Sequence, residues 1–144
     1  MRNPDLARDY IRRAVVRLDA LEVLFEAESW ADVVREAQEL VELTLKALLR
    51  ATGIDPPRVH DVSDILIAER SHLPEGVAED LEFLTRTSRA LRRDRELAFY
   101  GAEDLTPSGF YSREDAEEAR AGARKVVELV RPHVEEVESK GWQD

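Results

Sequence analysis

"VVREAQELVELTLKALLRATG", residues 33–53, decides the fold class. Val34, Ala37, Val41, Leu45 and Leu48 recur in it at three- and four-residue steps, the spacing that lines one face of an α-helix. Ser29 is a preferred N-cap, Asp32 adds a carboxylate to the first turn, and Gly53 supplies the left-handed residue at which helices stop. The reading is a helix over roughly 30–52.

The same period extends in both directions. Upstream, Asn3-Pro4 is a cap followed by a proline in the first turn, and Leu6, Tyr10, Ala14, Leu18, Leu21 and Phe25 form the stripe of a helix over roughly 4–27. Downstream, "GIDPPRVHD" is a loop, because paired prolines remove donors and push the preceding residue out of the α region. A short helix over roughly 62–71 follows it. After Pro74 the stripe resumes with Leu81, Leu84, Ser88 and Leu91 and continues to Tyr100. "GAEDLTPSGFY" is turn-rich, and Ser112 with Asp115 forms a capping-box signature for a last helix carrying Ala116, Ala119, Ala123, Val126, Val127 and Val130. Pro132 is expected to kink or stop that helix near Arg131. No segment alternates with period two. The expected fold is all-α: a single domain over 1–144, an up-and-down helical bundle of four long helices plus a short one, with Tyr10, Phe25, Trp30 and Phe83 in its core.

Composition narrows the function. The 144 residues contain no cysteine, which excludes thiolate and disulfide chemistry. No apolar run approaches the ~20 residues of a membrane span, and the N-terminus lacks a signal-peptide core, so the expectation is a cytoplasmic protein with no membrane association. The net charge is −10, so any phosphate-binding site has to be local rather than a basic surface. His60, His72 and His133 are scattered without metal-ligand spacing, and no glycine-rich phosphate loop is present; no metal and no cofactor are expected.

Against that acidic background stands "RRDRELAFYG", residues 92–101, which closes a stretch also carrying Arg86 and Arg89. Arg95 continues the apolar line of Leu84, Ser88 and Leu91, so its guanidinium must reach the rim, find a carboxylate or face an anion. Two readings follow. In the first the arginines are a solvated face, with Glu82 pairing to Arg86 and the others to Glu114, Asp115, Glu117 and Glu118 of the last helix or of a partner subunit. In the second they form a phosphate cradle. Glu42 and Lys46, one turn apart, read as a surface ion pair.

Taken together, residues 33–53, "HDVSDIL" at 60–66, the arginine-rich helix end and "YSREDAEEARAGARKVVELV" at 111–130 resemble the HEPN family. The resemblance implies a bundle of about five helices that forms a homodimer with a polar cleft near the subunit interface. It implies one of two functions. Some members are metal-independent ribonucleases, including toxins, built on an arginine followed four to six residues later by a histidine; others accompany small nucleotidyltransferases in toxin–antitoxin pairs. Here Phe99 stands where the histidine is expected, and no histidine lies between His72 and His133. Cleavage by 2′-hydroxyl attack needs a base near neutral pKa, which phenylalanine cannot supply and tyrosine supplies poorly. The resemblance therefore points to a non-catalytic protein that binds a nucleotide or RNA phosphate through Arg92, Arg93, Arg95 and Tyr100. Glu42, Lys46, His60, Arg89 and Phe99 are second-tier residues of the same cleft. The alternatives are a ribonuclease using Arg95, Tyr100 and His60, and a structural dimeric interaction module.

Overall fold

A computed structural model of the chain describes residues 4–59, 61–100 and 106–139, without the side chains of 93–100 and 136–139. Its elements are α1 (Pro4–Glu26), α2 (Trp30–Ala51), α3 (Ser63–Ala68), α4 (Glu75–Glu79), α5 (Leu81–Tyr100), α6 (Pro107–Phe110) and α7 (Arg113–Ser139), with a 3-10 turn at Arg70–His72. No strand occurs among the described residues, and the four long helices α1, α2, α5 and α7 make the bundle.

The quoted stretch forms the central helix. α2 packs against α1, α5 and α7, and from Val33 to Ile54 none of its residues is fully exposed. Val33, Leu40, Leu45, Leu48 and Leu49 are completely enclosed. Gly53 ends α2 as expected: at φ 87° it lets its own N–H reach Arg50 O and the Ile54 N–H reach Leu49 O, the two bonds of a Schellman stop. α1 ends with the same pair of bonds around Glu28, at φ 58°, without a glycine.

α7 lies across α1 and α2, fixed by apolar and charged contacts together. Ala116, Ala123, Val126 and Val130 are buried, Arg120 sits 4.3 Å over the Phe25 ring, and Phe25 meets Trp30 edge-on at 5.1 Å. Arg120 Nη2 also donates to Glu22 Oε1 at 2.9 Å. These contacts join the α1–α2 corner to the last helix.

The stripe from Leu81 to Tyr100 forms α5 as read, preceded by the short α4 that it did not include. Three expectations need correction. The Ser29 hydroxyl accepts no helix N–H and so does not cap α2; it donates to Asp32 Oδ2 at 2.6 Å instead. Of the aromatic residues read as core, Phe25 is buried, but Tyr10, Trp30 and Phe83 are only partly so. Pro132 does not stop α7, which runs on to Ser139. A mid-helix proline costs about 3 kcal/mol, and here it lies between two buried valines, Val130 and Val134, whose packing holds both sides in place. The Ser112–Asp115 capping box forms as read, with Ser112 N–H on Asp115 Oδ2 at 2.8 Å and Asp115 N–H on Ser112 Oγ at 3.3 Å.

Candidate functional site

α5 separates its two faces cleanly. Leu81, Leu84, Ser88 and Leu91 are buried, while Glu82, Arg86, Arg89 and Arg92 are exposed. The three arginines stand at successive three-residue steps, one row on the helix surface. Their pairing differs from the solvated-face reading. Arg89 donates to Asp64 Oδ1 on α3 at 3.0 Å, not to α7. Arg86 makes no ion pair with Glu82, and neither Arg86 nor Arg92 has an ion-pair partner among the described residues. Glu117 is occupied by Arg113 at 3.1 Å, and Asp115 by Ser112. Arg92 is thus an exposed guanidinium with no ion-pair partner among the described residues.

Beyond Arg92 the backbone of Arg93, Arg95, Phe99 and Tyr100 continues helical to the end of α5, and their side chains lie outside the described residues. His60 lies outside them as well. Its neighbour Asp61 does not. Asp61 Oδ1 accepts the Ser63 N–H at 3.0 Å, the Ser63 hydroxyl, and the Ser88 hydroxyl at 2.9 Å. Burial alone would push the Asp61 carboxyl up, but these bonds, with the Arg89 charge nearby, outweigh burial and hold it below the usual carboxylate range. The result is a clamp that fastens the loop after residue 59 to α5, one turn before Arg92. The signal for Asp61 available in the sequence was Ser88, a hydroxyl in an apolar stripe that demands a buried partner.

Glu42 and Lys46 are paired as expected, with Lys46 Nζ 3.0 Å from Glu42 Oε2, and Gln38 Nε2 donates to Glu42 Oε1 at 3.1 Å. They are not a surface pair. Their side chains are only 17% and 15% exposed because α2 is enclosed by its neighbours, and Gln38 is buried. An enclosed pair contributes little net stability after desolvation, so its position calls for another reason. The described structure does not bring this ladder into contact with the α5 arginines.

The other two histidines are placed elsewhere. His72 Nδ1 lies 2.8 Å from Glu69 Oε2 in the 3-10 turn, and the His133 ring packs on Gly76 of α4. Among the described residues no three histidine or acidic side chains converge as metal ligands, and no helix is long and apolar enough to cross a membrane. Guanidinium groups such as those exposed on α5 can hold phosphate oxygens by charge-assisted, bidentate hydrogen bonds.

The described residues thus form an all-α bundle with a row of exposed arginines on α5, fastened to the loop before α3. The HEPN domain model matches residues 7–136, and the chain belongs to that family. It is 29% identical over 140 residues to a protein of Methanocaldococcus jannaschii described as "Putative toxin MJ1304", covering 93% of this chain and 91% of the other. No solved structure matches the chain at a significant level.

Proposed function

We propose that this HEPN protein binds the phosphate of a nucleotide or RNA through Arg92, Arg93, Arg95 and Tyr100 at the end of α5, without cleaving it. In this reading it acts as a homodimer beside a small nucleotidyltransferase in a toxin–antitoxin type of pair. The observation that carries the reading is Arg92: exposed, and without an ion-pair partner among the described residues on a protein of net charge −10. In an acidic protein a surface arginine has many carboxylates within reach of chance pairing, so one that meets none among the described residues is available to an external anion. Phe99 in place of a histidine removes the base that cleavage would need. The relative described as a putative toxin supports the toxin–antitoxin setting.

Fluorescence anisotropy with a labelled single-stranded RNA and with a labelled nucleotide tests the reading. Arg92→Ala and Arg95→Ala should each weaken binding by about tenfold, or 1.4 kcal/mol, whereas Arg13→Ala on α1 should not. Equal affinity of all four proteins would contradict it.

A second reading, ribonuclease, draws on one observation. The Asp61–Ser88 clamp fixes the residue beside His60 against α5, on the helix that carries Arg95 and Tyr100. RNA cleavage between about pH 6 and pH 9 that is lost in both Arg95→Ala and His60→Ala would favour it over the binding reading.

A further inference from the structure

α5 and α7 leave a groove of about 560 Å³ between them, floored by Phe83, Leu91, Ala119 and Tyr111. Two contacts give the register. Lys125 Nζ stands 4.6 Å over the Phe83 ring, and a Cβ on Gly122 would lie 3.3 Å from the Thr87 methyl. The helices therefore run antiparallel, with Phe83 beside Lys125 and Thr87 beside Gly122, so Leu91 lies toward Glu118. Charge is sorted along the groove accordingly. Arg86 and Lys125 line one end, Asp115 and Glu118 the other, and Glu118 and Lys125 are about 10 Å apart along α7 at 1.5 Å per residue. Small residues, Ala90, Ala119 and Gly122, occupy the middle.

Two of those four charges are committed within the chain. Asp115 caps α7 with Ser112, and Lys125 covers Phe83. Arg86 and Glu118 are exposed and make no ion pair among the described residues. A groove with a positive end, a flat centre of small residues and a negative end is complementary to itself after a two-fold rotation. Phe110, 45% exposed and edge-on to Tyr111 at 4.9 Å, extends the apolar floor at the rim.

We infer that this groove is the surface on which two copies of the chain meet, antiparallel, with Arg86 of each protomer paired to Glu118 of the partner subunit. The inference rests on the dimer in the proposed function and gives it a surface; an isologous contact of this kind makes each pairing twice. Opposite charges facing across an interface also fix its register and exclude wrong alignments.

Sedimentation velocity over a concentration series tests it with four proteins: wild type, Arg86→Glu, Glu118→Arg and the double exchange. Both side chains are exposed, so the helical circular dichroism should be the same for all four. The expected result is a wild-type dimer, at least about tenfold weaker association in each single variant, and association restored toward wild type in the double variant. A wild type that is monomeric at every concentration overturns the inference. So does a dimer indifferent to either single change, or single losses that the double exchange does not repair. Anisotropy on the same samples separates the two proposals: RNA binding by a monomeric wild type leaves the phosphate reading standing, and a repaired dimer that binds no RNA removes only that reading.

Discussion

A serine in an apolar helical stripe needs a partner, and Ser88 finds one in Asp61, whose carboxylate also holds Ser63. Asp61→Ala leaves the buried Ser63 and Ser88 hydroxyls without that acceptor and should cost about 1–3 kcal/mol in urea unfolding. A change within about 0.5 kcal/mol, the range of ordinary surface substitutions, would show that the clamp is incidental. The pH dependence has a definite sign. Hydrogen bonds and the Arg89 charge hold the folded Asp61 below its unfolded value, so its contribution to stability is complete above about pH 4 and is lost as pH falls through the folded value. Asp61→Asn should therefore flatten the acid limb of the stability profile relative to wild type. At the same scale Arg92 gave a clear sequence signal, since it stands in a run of arginines; that it has no carboxylate partner among the described residues was not legible, because pairing depends on which elements the fold brings alongside α5.

The helices themselves were largely legible. The stripe of α2, its glycine stop and the capping box of α7 are local chemistry, written in adjacent residues. What failed was either too short or settled by distant packing. The five residues of α4 and the four of α6 cannot display a full stripe, and α6 depends on the Thr106 side chain accepting the Gly109 N–H. Pro132 stays helical because of valines packed on neighbouring elements, and Glu42–Lys46 is enclosed because three helices surround α2; neither fact is local. The two Schellman stops give a matched pair of tests. Gly53→Ala places a Cβ at φ 87° and should lower stability by about 1 kcal/mol. Glu28→Gly relieves the same conformation at φ 58° and should raise it by up to about 1 kcal/mol, an effect thermal unfolding resolves. An unchanged midpoint in both would mean that these turns adjust freely.

For the molecule as a whole, the contrast between a net charge of −10 and one arginine-bearing helix end organises the account. In the proposed function the acidic surface repels nonspecific nucleic acid and the end of α5 holds the phosphate, so binding should weaken with salt by only a few counterions. Removing Arg92 should reduce the slope of log affinity against log salt by about 1. An unchanged slope would place the phosphate elsewhere on the surface. Expressed with its neighbouring reading frames, the protein should also retain a small nucleotidyltransferase through purification; recovery alone, from a locus that encodes one, would count against that partner.

The most direct test is a single gel with a labelled mixed RNA, incubated with wild type, Arg92→Ala and Arg95→Ala, and run both native and denaturing. Phosphate binding without cleavage predicts RNA that is shifted by wild type, shifted less by each variant, and intact in every lane. Fragments made by wild type and absent with Arg95→Ala would contradict it, because they would require a general base that Phe99 does not provide.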